Sequence, residues 1–304
     1  MEILKPAFQN NNISICFSAN DNYVPLMTVS IASIIKNQNP ENNYDIVILM
    51  TNISDENQVK IRKLIADKPN FSIRFVNVGH YVYGYRFYTE SDPTNTKFSD
   101  EIYYRVLVPA LMPAHKYVIF LDADVVVLED IANILNYDFS NVLVCAVRDY
   151  EGISNCYNKN YEKTKYRINE LNIKNFDNYF LSSVLVVNPQ KFNEKFDVID
   201  LLNLAVSKDW KQYDQDLLNV LCQDAIKIID AGWNFMEDIY GTYHFLPKPL
   251  FNEFLESEEN PKIIHYSGNR KPWIKIDSKY NKYFWEYAEL TPFLDELKAL
   301  EPND

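Results

Sequence analysis

The chain has 304 residues, of which 47% are hydrophobic, so it can bury the core of one large domain or two small ones. Its formal net charge of −12 argues against nucleic acid as a partner and against a basic membrane-docking surface, because both depend chiefly on Lys and Arg. The sequence shows no apolar run of the roughly 20 residues that span a bilayer, and no signal peptide at its start. We therefore expect a globular, cytoplasmic protein with at most peripheral membrane association.

The first half of the chain alternates between predicted strands and helices. Strands are predicted from the apolar runs at residues 13–17, 45–50 and 71–78. A helix is expected over residues 25–35, where Pro25 suits the first turn, and a second after Ser54, which can cap it. A further helix is expected at residues 102–111. This alternation indicates an α/β fold with a doubly wound parallel sheet.

The second half has a looser pattern. Short strands are predicted at residues 142–147, 183–187, 226–229 and 262–266, and helices at residues 214–222 and 283–300. Residues 150–180 are rich in Asn, Lys and Tyr, with little apolar periodicity, so we expect a long surface excursion there. Loops of that length often form lids or binding surfaces. Without a repeat or a linker between the halves, the sequence favours one domain over residues 1–304.

The most informative segment is YVIFLDADVVVL at residues 117–128, an apolar strand that ends in two aspartates. Residues two apart in an extended segment face the same side, so Asp122 and Asp124 can direct both carboxylates at one point. Ligands of open α/β sheets bind beyond the carboxyl ends of the strands, and that point suits a divalent cation with a phosphorylated ligand. The alternative is that the two carboxylates cap a helix or face water.

Two further motifs flank this segment: ISICFSANDNY at residues 13–23 and IIHYSGNRKPW at residues 263–273. Taken with YYRVLVPALMP and YDQDLLN between them, they make the chain resemble glycosyltransferase family 8, the group of glycogenin and bacterial lipopolysaccharide galactosyl- and glucosyltransferases. The resemblance implies one GT-A type domain with a Rossmann-like, mostly parallel central sheet flanked by helices. Residues 1–130 would then bind the nucleotide, and the irregular second half at residues 131–304 would bind sugar and acceptor.

His265 is the candidate third metal ligand. It ends a short apolar strand, and imidazole with carboxylate and phosphate oxygens suits manganese better than calcium. A lone histidine is more often a surface residue or a hydrogen-bonded core residue. The resemblance implies that His265 joins Asp122 and Asp124 around Mn²⁺, with Mg²⁺ as the alternative ion.

The resemblance also implies a set of donor-binding residues: Ala19, Asn20, Tyr23, Arg105, Asp122, Ala123, Asp124, Gly268 and Lys271. Asn20 would pair with the uracil edge, although family members often carry an acidic residue there, and Tyr23 would stack on the ring. Asp122 would contact the ribose as well as the metal. Gly268 would let the backbone approach the ligand, and Lys271 would neutralise the departing diphosphate. An ordinary turn glycine and a solvated lysine are the alternatives.

Three residues are candidates for the catalytic centre by the same resemblance. Gln215 matches the residue below the anomeric carbon, Asp214 matches a sugar-hydroxyl contact, and Asp149, like Arg105, matches a contact to the donor sugar. From the sequence alone, Asp214 and its neighbours are an ordinary acidic helix start, and Arg105 is a partner for a nearby carboxylate. One segment departs from the family pattern of Phe-Asn-Ser/Ala-Gly, because residues 180–183 read Phe-Leu-Ser-Ser.

The resemblance implies transfer of glucose or galactose from UDP-glucose or UDP-galactose to a hydroxyl of a glycan or glycolipid acceptor, with retention of anomeric configuration. A double displacement needs a carboxylate nucleophile, and Gln215 is an amide, so a same-face substitution is favoured unless Asp149 or Asp214 takes that role. Two alternatives stay open. Leu181 and Ser183 allow a degenerate UDP-sugar-binding protein, and Asp-Ala-Asp-Val-Val superficially matches aspartate-nucleophile phosphatases, whose motif stands near the amino terminus.

Overall fold

The computed structural model describes residues 2–87, 99–158, 161–273 and 278–300. Nine strands are assigned within these ranges: β1 (Asn12–Ser18), β2 (Asn43–Met50), β3 (Phe71–Asn77), β4 (Val118–Leu121), β5 (Val125–Val127), β6 (Val144–Arg148), β7 (Phe180–Val187), β8 (Ile226–Ile228) and β9 (Ile263–His265). Seven of them form one sheet in the order β3-β2-β1-β4-β7-β6-β8, and β5 pairs with β9 in a separate ribbon.

The central sheet is mostly parallel, as predicted. Strands β1 to β4 run in one direction, and β8 runs parallel to its neighbour β6. Strand β7 is antiparallel to both β4 and β6 and lies between them. The parallel half places the ends of β1 and β4 at the same edge of the sheet, where open α/β sheets bind their ligands.

Helices cover both faces of the sheet. They are α1 (Val24–Lys36), α2 (Asp55–Lys63), α3 (Gly79–Val82), α4 (Val108–Leu111), α5 (Tyr150–Tyr157), α6 (Tyr161–Lys165), α7 (Pro189–Lys195), α8 (Val198–Ala205), α9 (Tyr213–Cys222), α10 (Lys248–Glu259), α11 (Asn281–Ala288) and α12 (Leu294–Lys298). Alternate residues of β1 enter opposite cores: Ile15 and Phe17 belong to the core that contains buried residues of α1, α10 and α11, whereas Cys16 belongs to the core that contains those of α4 and α7 to α9. Because successive residues of a strand face opposite sides and both sides of this sheet are buried, the central strands are continuous apolar runs in the sequence.

Several predicted elements are corrected by the structure. The expected helix at 102–111 is a 3₁₀ helix at Asp100–Leu107 followed by α4, because Pro109 cannot continue a helix that began earlier and instead stands in the first turn of a new one. The expected terminal helix at 283–300 is divided into α11 and α12, with Pro292 in the break. Helices α7, α8 and α10 had no predicted counterpart.

The described residues of the 150–180 segment also form more regular secondary structure than predicted. They contain α5, α6 and a π-helical turn at Tyr166–Glu170, and they bury Ile153, Tyr166 and Arg167. The segment therefore packs on the body of the protein and supplies a wall of the cavity described below. In the part of the chain that the structure describes, no helix has the length and apolar character to cross a membrane.

Candidate active site

The loop that carries the two aspartates is fixed through its backbone. Strand β4 ends at Leu121, and the Asp122 N–H then donates to the Ser183 carbonyl at 2.8 Å. The hydroxyl of Ser30, on α1, lies 2.8 Å from the Ala123 carbonyl and 2.6 Å from that of Val125. These contacts from β7 and α1 hold the chain between β4 and β5 in one conformation, with both carboxylates at the end of the sheet.

Strand pairing brings His265 to the same place. The ribbon of β5 and β9 aligns His265 with Val125, the residue after Asp124. Its Nε2 lies 3.4 Å from Asp124 Oδ1, and its Nδ1 lies 3.0 Å from Ser183 Oγ. Asn234 Nδ2 also donates to Ser183 Oγ, at 2.9 Å. The ring is therefore held from the side opposite the aspartates.

Asp122, Asp124 and His265 form a plausible cation site. One ligand atom from each of the three lies within 4.8 Å of the others. Oxygen ligands bind Mg²⁺ at about 2.1 Å, so two donors on one ion can be about 4 Å apart, and small side-chain rotations suffice to bring these three together. Two carboxylates and an imidazole are a donor set suited to Mn²⁺ or Mg²⁺. The residues present fit the ion that the sequence predicted.

Asp124 is also the partner of Lys271, whose ammonium group contacts the carboxylate oxygen Oδ2 directly. Burial acts to raise the pKa of Asp124, but the charge of Lys271 and the hydrogen bond and charge of His265 outweigh it, and the pKa falls well below its usual value. Asp124 is therefore anionic across the physiological pH range. Lys271 therefore stands beside the candidate metal site.

A first cavity, of about 90 Å³, lies between the end of β1 and the aspartate loop. Its lining includes Ala19, Asn20, Tyr23 and Asp122, which are among the predicted donor-binding residues. Burial and the negative charges of Asp124 and Asp122 raise the pKa of Tyr23 to about 12, so its phenol is neutral at physiological pH. We call this space the nucleoside cavity, and Ser99 and Glu101 also line it. Neither Ser99 nor Glu101 lies in a motif that predicted a contact with the nucleotide.

A second cavity, of about 280 Å³, lies on the other side of Arg105. Its lining includes the predicted site residues Asp149, Asp214, Gln215 and Gly268. Two of the candidate metal ligands, Asp122 and His265, line it as well. The structure thus brings the predicted catalytic residues to the candidate metal site. We call this second space the sugar cavity.

Arg105 forms part of the wall shared by the two cavities. Its guanidinium donates to Asp122 Oδ1 at 2.8 Å and also to the Ser182 carbonyl, and it lies over the Phe120 ring. The side chain is buried, so its orientation is fixed by these partners. Arg105 therefore connects the aspartate loop to β7 and presents a positive charge to both cavities.

Asp214 is buried in the site, and its pKa is shifted in the opposite direction to that of Asp124. Burial, with a contribution from the charge of Asp122, raises its pKa to about 6, and the nearby charge of Arg105 partly opposes this shift. Arg105 Nε lies 3.1 Å from Asp214 Oδ2, but its N–H donates to the Ile102 carbonyl. Among the residues described, that carboxylate oxygen has no hydrogen-bond donor. Asp214 can therefore accept a proton or a sugar hydroxyl in the sugar cavity.

Asp149 and Gln215 are joined by a hydrogen bond from Gln215 Nε2 to Asp149 Oδ2, 3.0 Å long. Asp149 caps α5 by accepting from the Gly152 N–H at 2.7 Å. Arg167 Nη2 approaches the same carboxylate at 3.4 Å. A Cβ at Gly152 would overlap both the Asp149 and the Arg167 side chains, so this position requires glycine. The amide of Gln215 is thus oriented by a buried, charged partner.

Arg167 is a site residue that the sequence analysis missed. It is buried, and its guanidinium stacks on the Tyr179 ring at 3.9 Å from the centroid. It belongs to the segment interpreted as a surface excursion, and nothing in its local pattern indicates a contact with Asp149. The Asp-Tyr-Glu-Gly sequence after β6 is the part of the sequence that could have indicated this contact, because Gly152 leaves room for the Arg167 side chain beside Asp149.

Gly268 has a φ of +57°, which favours glycine, and it lines the sugar cavity. Two residues later, Arg270 donates to Glu151 Oε2 at 2.6 Å and to the Glu237 carbonyl at 2.6 Å. Arg270 also lines this cavity and was not predicted. The ion pair between buried Arg270 and half-buried Glu151 joins the loop after β9 to α5, and the loop then leads to Lys271.

Comparison with known proteins assigns the class. The family model described as glycosyl transferase family 8 matches residues 14–277, so the chain belongs to this family and is a glycosyltransferase. General stress protein A of Bacillus subtilis (strain 168) is 26% identical over 288 residues, which cover 90% of this chain and 92% of that protein. Lipopolysaccharide 1,2-glucosyltransferase of Escherichia coli (strain K12) is 26% identical over 291 residues, which cover 93% of this chain and 80% of that protein.

The fold agrees with this assignment. The apo structure of the bifunctional glycosyltransferase WbbM superposes with a TM-score of 0.86 at 27% identity. The match covers 98% of this chain and 53% of that one, so this chain spans about half of WbbM. The GT-A fold predicted from the sequence is confirmed. Membership in a glycosyltransferase family also argues against the aspartate-nucleophile phosphatase.

Proposed function

We propose that the protein transfers glucose or galactose from a UDP-sugar to a hydroxyl of a glycan or glycolipid acceptor, with a divalent metal and with retention of anomeric configuration. The observation that carries the proposal is the convergence of Asp122, Asp124 and His265 at the wall between a nucleoside cavity and a sugar cavity. Members of this family of GT-A enzymes act on sugar nucleotides, and the donor set fits Mn²⁺ or Mg²⁺.

The diphosphate of the donor would lie at this wall. A bound cation there supplies charge that stabilises the departing UDP. Lys271 and Arg105 are cationic side chains that contact the two aspartates there, so they would neutralise the negative charge that grows on the leaving group. The base and ribose would extend into the nucleoside cavity beside Tyr23, and the hexose into the sugar cavity.

Three side chains of the sugar cavity would act on the hexose. Gln215 presents an amide, which is a poor nucleophile, so we favour attack by the acceptor on the face from which UDP departs. Asp149 orients this amide by accepting its N–H. Asp214, with a pKa of about 6, would accept a hydrogen bond from a sugar hydroxyl at neutral pH.

We further propose that residues 1–304 act as one catalytic domain. Arg105 and the aspartate loop lie in the nucleotide-binding half, residues 1–130, whereas His265 and Lys271 lie in the second half. Because both halves contribute to the candidate metal site, neither would be active alone. The predicted cytoplasmic location remains a prediction.

A donor screen tests the proposal. The protein is incubated with Mn²⁺ and, separately, UDP-glucose, UDP-galactose and their N-acetylated analogues, and released UDP is measured with and without oligosaccharide acceptors. We expect one of the two hexose donors to be cleaved preferentially, with a product that retains the anomeric configuration by NMR. Binding of UDP without cleavage of any donor would instead support a degenerate binding protein, for which Leu181 in the sugar cavity is the specific reason.

A further inference from the structure

The amide of Asn20, expected to pair with the uracil edge, is already engaged within the protein. Its Nδ2 donates to Ser99 Oγ at 3.2 Å and to Glu101 Oε2 at 3.2 Å, which accounts for both amide protons. Its Oδ1 accepts from the Asn22 N–H at 3.1 Å and caps the turn at Asp21–Tyr23. For Asn20 to pair with the uracil edge, as the family resemblance implies, one of these hydrogen bonds would have to be exchanged for one to the base.

Glu101 supplies the acidic group that the position of Asn20 lacks. It is 8% exposed and lines the nucleoside cavity, where it stands next to Asn20 in space although 81 residues separate them in the sequence. Besides the bond from Asn20, its other oxygen accepts from Thr51 Oγ1 at 3.3 Å. A carboxylate offers about four acceptor sites, so both oxygens keep capacity for a further donor. The donors from Asn20 and Thr51 fix the carboxylate at the cavity wall.

We propose that Glu101 reads the base of the nucleotide, by accepting the ring imide N–H of uracil in the nucleoside cavity. The inference rests on the proposed UDP-sugar donor. Uracil presents a ring N–H between two carbonyls, whereas cytosine presents a bare ring nitrogen and an amino group. A fixed carboxylate attracts the uracil N–H and repels the lone pair of the cytosine nitrogen. Glu101 is thus a specificity-determining residue, and Asn20 is the positioning residue that orients it.

The test compares UDP with CDP by isothermal titration calorimetry in the presence of Mn²⁺. Wild-type protein is expected to prefer UDP. In Glu101→Gln, UDP binding should weaken roughly 10- to 100-fold, because a hydrogen bond to a charged group is lost, while CDP binding should hold or improve. The double variant Asn20→Asp/Glu101→Gln moves the carboxylate to the other partner of the pair and should recover much of the preference for UDP.

The matched control is Asp100→Asn, which removes the neighbouring carboxylate that is exposed and does not line the cavity; its UDP preference should equal that of wild type. If Glu101→Gln weakens UDP and CDP equally, the residue only supports the loop and the inference is overturned. An unchanged UDP preference would overturn it as well, and would leave the proposed function intact. Wild-type protein that bound neither nucleotide would refute the donor proposal and this inference together.

Discussion

The hydroxyl oxygen of Ser183 lies 3.0 Å from Nδ1 of His265, on the side of the ring opposite the nitrogen that faces Asp124. Ser183 stands where family members usually carry glycine, and in the sequence it counted as a departure that allowed a degenerate protein. In the structure it has a physical role. It is buried between His265 and Asn234 and sets the orientation of the imidazole. Partners of this kind commonly tune metal ligands.

The Ser183 hydroxyl should contribute to metal binding through its contact with His265. Ser183→Ala should lower the affinity for Mn²⁺ about tenfold, toward the lower end of the range for such partners, because the imidazole loses the group that orients it. Mn²⁺ binding by calorimetry in the presence of UDP measures the effect. Ser207→Ala, at an exposed serine, is the control. An affinity equal to that of wild type would show that the ring is held by packing alone.

Lys271 should contribute mainly to turnover. In Lys271→Met the long apolar stem remains but the charge beside the diphosphate is lost, so kcat for UDP release should fall roughly 100-fold, as when one electrostatic stabiliser is removed from an active site. KM for the donor should change less. Steady-state kinetics separate the two, with the exposed Lys279→Met as the control. A large rise in KM with unchanged kcat would show instead that Lys271 only binds the donor.

Asp214 should make stability depend on pH. Its pKa is raised from the ordinary 3.8 to about 6, so the folded protein binds this proton more tightly than the unfolded chain does, and stability falls as pH rises from about 4 to 6. This single group accounts for a loss of about 3 kcal/mol across that window, at 1.36 kcal/mol per pKa unit.

Asp214→Asn, which cannot titrate, should not show this loss. Urea unfolding at pH 4 and pH 7 should show the variant gaining stability relative to wild type by about 2 to 3 kcal/mol at the higher pH. A difference between the two proteins that is the same at both pH values would mean that Asp214 titrates normally.

Arg167 should matter for stability because it is the cation nearest to the buried Asp149 carboxylate. Arg167→Met leaves that charge without its ion-pair partner and should destabilise the protein by about 3 to 5 kcal/mol. The double variant Arg167→Met/Asp149→Asn should recover part of the loss, since the uncompensated charge is gone. Thermal or urea unfolding of the four proteins of this cycle gives the coupling. Additive effects of the two changes would contradict the ion pair.

The apolar patterns and short motifs of the sequence were sufficient to predict the main strands and the candidate metal site. Alternating strands and helices were predicted because the apolar runs of β1, β2, β3 and β4 are continuous. The candidate metal site was predicted because Asp122, Asp124 and His265 lie in short, distinctive motifs, and the structure brings these three residues together. Neighbouring prolines show where the helix predictions were too long. Pro109 and Pro292 lie inside the two helices that the structure divides.

Contacts between distant segments could not be read in this way. Arg167 forms an ion pair with Asp149 where the absence of a side chain at Gly152 leaves room for it. Glu101 accepts a hydrogen bond from Asn20, which is 81 residues away in the sequence. Nothing in the local sequence around Arg167 or Glu101 distinguishes these residues from solvent-exposed charged residues. Their roles follow from burial and from the partner that the fold supplies, and both are properties of the tertiary structure.

We propose that Asp122, Asp124 and His265 share one divalent cation that holds the UDP-sugar. Anomalous diffraction from crystals soaked with Mn²⁺ and UDP tests it most directly. We predict a manganese peak bonded to a carboxylate oxygen of each aspartate, to His265 Nε2 and to the diphosphate. A structure with UDP in the nucleoside cavity and manganese elsewhere, or with no manganese at these three residues, would contradict the account.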